Sequence, residues 1–329
     1  MTFAVLNPGG RDANQSFPAG AGKPDEGGHP PVNYHAYAAC RRGGFYREIR
    51  ALPEEVRTVL ILLRKRNLRK ALAAVQHLKS RGINTLVSCK ESGAHQIADF
   101  LGDVTRLELF REICTAADGA ISSTPDLVEV YRVAGCREVR FVPTPYPVDS
   151  KEWDFSQPPE KRRGIFIGTR EFSVPSRNHL TAVLLADELS REIGCALAVV
   201  NTEGRSGGMI LKSLRKKNPL LFIIEAPLAY PDYLRVMALH RIVWQLDSSS
   251  VPGQVAGDAL LCRMPCLGGN GAVDRIAFPG LSGPAERSVL AGAARSLLTD
   301  DGLWLRTVEA SMATAMRELS FEAGASRLS

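Results

Sequence analysis

The chain has 329 residues, 45% hydrophobic and 23% charged, which excludes a largely disordered protein and supplies two cores at roughly 100–200 residues per domain. The +6 formal charge fits a solvated surface or one facing an anionic ligand, such as a nucleotide, less often nucleic acid or a membrane surface. No apolar run reaches the roughly 18 residues of a membrane helix, and MTFAVLNPGGRD lacks a basic-then-apolar leader, so no integral membrane segment and a cytoplasmic location are expected.

Phe3–Leu6 is a predicted strand running into Asn7-Pro8-Gly9-Gly10. The Gly/Pro-rich stretch that follows, to Pro31, has a linker's composition. It comes straight after a strand, however, and long loops in compact domains are often functional, so an ordered active-site loop is preferred to a floppy insertion. A short helix is expected over Asn33–Arg42, with strands at Phe45–Ile49 and Val59–Leu63. The densest basic run, Arg64-Lys65-Arg66 with Arg69 and Lys70, begins a helix over Asn67–Arg81. Its Leu68, Leu72, Val75 and Leu78 recur at helical spacing, and Gly82 ends it. Thr85–Cys89 is a strand, and Ala94–Leu101 and Val104–Ala117 are helices. Gly119–Ser122 is a strand, Pro125–Ala134 a helix capped by Thr124, and Val139–Val142 a strand.

Ser150–Arg163, polar and carrying two adjacent prolines, reads as a linker. The pattern then restarts. Strands are expected at Gly164–Gly168, Ala196–Asn201, Leu220–Ile224, Ile242–Leu246 and Pro265–Leu267. Helices are expected at Asn178–Ile193, Gly208–Leu214, Pro231–Leu239, Gly253–Cys262, Pro284–Leu298 and Leu303–Leu319. The organisation predicted is α/β: a Rossmann-like domain over 1–150, a linker over 151–163, and a second Rossmann-like domain over 164–329, facing a central cleft, with the last helix able to cross back. The seven cysteines form no CxxC pair and mostly lie in apolar segments. Free thiols are expected rather than disulfides, and no metal at Cys262 and Cys266.

Ligands of doubly wound sheets lie beyond the carboxyl ends of the strands. In the second half, Gly168-Thr169-Arg170 follows the first strand and Arg177-Asn178-His179 opens the next helix. Glycine permits close backbone approach, and arginine offers a fork of donors for phosphate; the plainer reading is a glycine turn with two solvated arginines. The richest segment is LDSSSVPGQVAGDALLCRMPCLGG, residues 246–269. A glycine turn at a helix start exposes N–H groups suited to a pyrophosphate. Asp258, one turn into that helix, suits sugar or ribose hydroxyls. The plainer alternative is a serine-rich turn capping a core helix.

These residues resemble the nucleotide-sugar signature of the large retaining class of GT-B glycosyltransferases, glycosyltransferase family four, whose pattern is E-G-F-G-x-x-x-x-E-A-M-A-C-G-x-P. Gly253 matches the second glycine, Asp258-Ala259 the second acid and alanine, and Cys262 and Pro265 the cysteine and proline. Ala229–Leu234 resembles the family's "-Y-x-x-A" helix, Pro143–Asp149 its "P-N-G-V-D", and Gly168-Thr169-Arg170 its "G-R" turn. The likeness runs over most of residues 58–320. Ser250 stands where the family has its first acid, and Arg177 takes the place of its usual lysine. The resemblance implies diphosphate contacts from Arg170 and Arg177 and a ribose contact from Asp258. It places Ser249, Ser250, Gly253 and Gln254 at the donor sugar or phosphate.

In the first half, Gly10 beside Gly9 suits approach to a donor phosphate. Asp12, His35 and His95 are the candidate catalytic groups, as base or carbonyl partner for an acceptor hydroxyl, with His29, Tyr34, Lys90 and Glu91 nearby in sequence. A lone histidine is more often a surface or core residue. The expected activity is transfer of a sugar from a nucleoside-diphosphate sugar such as a UDP-sugar. No cofactor or metal is expected, since no DxD pair is evident. The acceptor is left open among a small molecule, a glycan and modified-base DNA. The alternatives are a non-catalytic nucleotide-sugar or nucleic-acid binding module, and another two-domain α/β enzyme such as a sugar-nucleotide epimerase.

Overall fold

The structure, a computed structural model, describes residues 2–225, 227–283 and 286–329. The chain divides into two compact units. Unit 1 comprises residues 1–152, 250–252 and 318–329; unit 2 comprises residues 153–249 and 253–317.

Unit 1 contains, in chain order, β1 (Phe3–Leu6), β2 (Gln15–Ser16), α1 (Tyr34–Cys40), β3 (Gly44–Tyr46), β4 (Thr58–Leu63), α2 (Leu68–Ser80), β5 (Asn84–Cys89), α3 (Ala94–Leu101), α4 (Val104–Ala116), β6 (Gly119–Ser122), α5 (Val128–Val133) and β7 (Val139–Phe141). The sheet order is β2-β3-β1-β4-β5-β6-β7, parallel except for the antiparallel edge strand β2. β4 reads TVLILL because it is covered on both faces, as parallel strands are. Val59, Ile61 and Leu63 enter one core with residues of α2, α4 and α5. Leu60 and Leu62 enter the other with residues of α1.

Unit 2 contains β8 (Ile165–Ile167), α6 (His179–Ile193), β9 (Leu197–Val200), α7 (Gly204–Arg215), β10 (Leu221–Ile224), α8 (Tyr230–Ala238), β11 (Ile242–Trp244), α9 (Gln254–Leu261), β12 (Cys266–Leu267), α10 (Ala272–Ala277), α11 (Arg287–Thr299) and α12 (Asp301–Glu318). Its sheet, ordered β10-β9-β8-β11-β12, is parallel throughout. A final helix, α13 (Phe321–Arg327), belongs to unit 1. Ser320 caps it by accepting the Ala323 N–H at 3.1 Å, and its Phe321, with Leu328 just past its end, joins the core beside α1.

Several details depart from the sequence reading. The segment from Pro125 starts as a 3-10 turn over Pro125–Leu127 before α5, and the Thr124 side chain makes no cap bond. α7 begins four residues before the predicted Gly208. Residues 153–163 are not a bare linker. Trp153 and Phe155 are buried, the Phe155 N–H donates to Leu261 O at 3.0 Å, and buried Arg162 donates to Cys262 O at 2.7 Å with its guanidinium 5.1 Å from the Trp304 ring. The start predicted for α11, at Pro284, lies outside the described residues. All seven cysteines are free thiols.

The strand orders locate the ligand positions. Each sheet reverses direction once: in unit 1 between β1 and β4, in unit 2 between β8 and β11. Loops on either side of such a reversal splay apart and leave a crevice beyond the strand ends.

Candidate functional site

In unit 2 the loops flanking the reversal are those after β8 and β11, which hold the residues picked out from sequence. β8 and β11 are neighbours, Ile167 opposite Trp244. Gly168 leaves β8 with its N–H on Trp244 O at 2.9 Å. A β-carbon at Gly168 would run into Val255 of α9 and Val243 of β11, so glycine at this position allows the first turn of α9 to lie against the end of β8. Gly253, the residue before α9, has φ 94°, a backbone that other residues adopt only with strain.

Gly253 has a second reason to lack a side chain. A β-carbon there would lie 2.8 Å from Asp274 Oδ2 and 3.1 Å from the Val273 nitrogen. Asp274, in the first turn of α10, accepts the Gln245 amide at 2.8 Å. Burial, with the Asp247 charge adding to it, raises its carboxyl to about 7. Gly253→Ala is expected to cost about 1–3 kcal/mol from strain and crowding, which lowers the melting temperature by roughly 2–4 °C per kcal/mol for a chain of this size; a thermal melt reads it.

Arg170 and Arg177 differ in their surroundings. The Arg170 guanidinium lies over the Tyr233 ring, 5.0 Å from its centroid, with no carboxylate at ion-pair distance among the described residues. Arg177 is tied to the buried Asp247 carboxylate and lies 3.8 Å from Glu171. Asp247 also accepts the N–H and hydroxyl of Ser249. Asn178 Nδ2 bonds Leu246 O at 3.0 Å, and the Ser248 N–H bonds Ser176 O at 2.9 Å. Together these bonds fasten the loop after β11 to the turn before α6. Ser250 takes a left-handed φ of 51°, and Gln254 is the first residue of α9.

Asp258 is wholly enclosed. Its Oδ1 accepts the Tyr230 hydroxyl at 2.5 Å, while Oδ2 and the Tyr233 hydroxyl have no partner among the described residues. Burial raises the carboxyl to about 7, against the opposing pull of the Tyr230 bond and the Arg170 charge. The structure thus places Asp258 beneath the loops, joined to Arg170 through the two tyrosines of α8, not at a surface where a ribose would meet it. Tyr230, Tyr233, Asp247, Asp274 and buried His179 went unassigned in the sequence reading. His179 Nδ1 lies 2.9 Å from Thr169 Oγ1, and burial lowers its imidazole to about 4.

In unit 1 the Gly9 N–H donates to Arg47 O at 3.3 Å and the Gly10 N–H to Asn7 O at 2.9 Å. Gly10 therefore offers no amide to a phosphate in this arrangement; it covers the Asn7 side chain, which is fully buried with both polar atoms unpartnered among the described residues. His35 lies between the rings of His29 and Phe45, each centroid 3.8 Å away. Burial, helped by the His29 charge, pushes it down to about 3, so it is neutral and too weak a base for proton abstraction near neutrality. Asp12 binds Lys90 Nζ at 3.1 Å; burial raises its carboxyl, but the Lys90 bond and charge outweigh this and lower it on balance. Asp12 and His35 thus share one neighbourhood. His95 stands elsewhere, exposed in the first turn of α3, beside a cavity with Arg64, Lys65 and Arg66. Tyr34 is a core residue whose hydroxyl donates to Cys89 O at 2.5 Å.

Comparison of the folded chain with solved structures gives consistent neighbours. A glycosyltransferase from Rickettsia africae ESF-5 superposes with a TM-score of 0.59 at 13% identity, covering 99% of this chain and 97% of that one. The fold is GT-B. An alpha-glucosyltransferase in complex with UDP-glucose and DNA containing an abasic site gives 0.58 at 9% identity, covering 97% and 95%. The structure described as "Trehalose-6-phosphate from E. coli bound with UDP-2-fluoro glucose" gives 0.59 at 10%, covering 84% and 73%. No family model matches the chain, and no curated protein matches it by sequence. Among the described residues no helix is long and apolar enough to cross a membrane, and no group of acidic, cysteine or histidine side chains is arranged to hold a metal ion.

Proposed function

We propose that the chain is a glycosyltransferase that takes its sugar from a nucleoside-diphosphate donor bound on unit 2, at the reversal between β8 and β11. The observation that carries this reading is the junction itself. Gly168 lets α9 close on β8, Gly253 turns the chain into α9, and Arg170 stands beside them with no carboxylate at ion-pair distance among the described residues. A developing diphosphate needs positive donors aimed at its oxygens. Arg170 and the first-turn N–H groups of α9, at the positive end of the helix dipole, supply them without a metal. The UDP ligands named for two neighbours support a uridine donor.

Asp258 acts in this reading as a positioning group under Arg170, and Arg177 as the clasp between the two donor loops. Retention follows from the resemblance to the retaining class, although Ser250 brings no charge to the first acid's position. Asp12, whose carboxyl the Lys90 contact holds below its ordinary value, is the candidate partner for an acceptor hydroxyl.

Titration calorimetry with UDP and GDP, followed by UDP-glucose and UDP-N-acetylglucosamine with an assay of released nucleoside diphosphate, tests the proposal. Saturable UDP binding and acceptor-dependent UDP release are expected. Binding without release on any acceptor would leave a binding module, and no nucleotide binding would remove the donor site.

A further inference from the structure

The densest basic run of the sequence has no role in the donor site. It lies on the loop after β4, which flanks the reversal of unit 1 as the donor loops flank that of unit 2. Asn67 holds this loop rigidly. Its side chain is buried, its Oδ1 accepts the Arg64 N–H at 2.8 Å, and its Nδ2 donates to Leu62 O at 3.0 Å and Pro8 O at 3.2 Å. The backbone of Arg64-Lys65-Arg66 is thus fixed against both β4 and the loop after β1.

Beside it is a cavity of about 280 Å³ lined by Arg64, Lys65, Arg66, His95 and Gln96, with Glu91 and Asp99 on its wall. The carboxylates are already engaged: Glu91 with Arg64 at 3.5 Å and Asp99 with Lys65 at 2.8 Å. Arg66 has no ion pair among the described residues. Nor do Arg69 and Lys70 on α2, and the Lys70 ammonium lies 3.1 Å from where a β-carbon of Gly9 would stand. The lining of the cavity thus holds the three cations Arg64, Lys65 and Arg66 against the two carboxylates of Glu91 and Asp99.

We propose that this cavity is a phosphate subsite of unit 1, and that the acceptor is a small molecule carrying a phosphate monoester, seated on Arg66, Lys65 and His95. The proposal rests on the transferase reading for the word acceptor, but the subsite stands on its own residues. With Arg64 and Lys65 paired to the two lining carboxylates, Arg66 is the cation of the lining left over, with His95 beside it, a concave site sized for one phosphate group. A duplex would need roughly six to ten phosphate contacts along an extended face. Planar arginine donors are suited to phosphate oxygens.

The test uses the full chain in titration calorimetry with inorganic phosphate, glycerol 3-phosphate, glycerol, a 12-base-pair DNA duplex and, in parallel, UDP. Lys65 and Arg66 are exposed, so K65Q/R66Q is expected to keep its melting temperature. Saturable binding of phosphate and glycerol 3-phosphate, none of glycerol, and at least a tenfold loss in K65Q/R66Q with UDP affinity unchanged support the proposal. No saturable phosphate binding, or binding equal in the variant, overturns it. Tight, strongly salt-dependent duplex binding that the variant abolishes, with glycerol 3-phosphate inert, overturns it in favour of a nucleic-acid partner. UDP affinity is measured separately, so its absence removes the donor reading without touching this one.

Discussion

Arg170→Ala is expected to lower donor turnover by about 10²–10³-fold while leaving the protein nearly as stable. The rate loss is the size seen when one preorganised donor to a developing oxyanion is removed. The small stability change follows from what Arg170 touches: its guanidinium gains a cation–π contact with Tyr233, worth about 0.5–1 kcal/mol at a partly exposed position. Arg177→Ala reverses the balance. It leaves the buried Asp247 carboxylate without its cation, which costs about 2–4 kcal/mol for a charge left unpaired in a poorly solvated position. Melting temperature and kcat/KM measured on both variants separate the roles. Equal kinetic losses for the two, or a large melting shift for Arg170→Ala, would reject Arg170 as the diphosphate donor.

This division was only partly legible in the sequence. The parallel strands were readable because burial on both faces forces continuous aliphatic runs such as TVLILL and LAVV, and the glycine turns because they follow strands directly. Strand order is set by crossovers between segments remote in sequence, so the position of each reversal, and hence the importance of the loop after β4, had no local sign. The helices missed are short. α10 has six residues and α13 seven, less than the two or more turns over which a 3.6-residue period shows. The site residues missed are partners rather than motif members. Tyr230 and Asp258 stand 28 positions apart and meet only because α8 packs on α9. Asp274 had a faint signal, an acid following the glycines of GGNGAVD. Conversely, Gly10 and His35 looked like site residues because of their types, and packing made one the cover over Asn7 and the other the middle of a ring stack.

Asp258→Asn is expected to make the protein more stable at pH 8 and less active. Burial lifts the folded carboxyl to about 7, from the 3.8 of an ordinary aspartate. A raised acid favours the fold fully below the unfolded value, and that contribution is lost as pH rises from about 4 through 7. Above pH 7 the enclosed side chain is ionised, held by one tyrosine hydroxyl and the Arg170 charge, a position that burial disfavours. Asparagine keeps an acceptor for Tyr230 and carries no charge. The gain at pH 8 is on the order of 4 kcal/mol at most, a melting increase of several degrees that shrinks toward zero near pH 4. A destabilising carboxylate beside a binding loop is the kind of group retained for function rather than for folding. Losing its negative charge frees Arg170 from a counter-charge and loosens its placement over Tyr233, so donor KM is expected to rise several-fold, with the pH dependence of donor binding near 7 removed. A variant that is less stable at pH 8, or one with an unchanged pH profile for UDP affinity, would mean that Asp258 is a structural acid with no hold on the donor site.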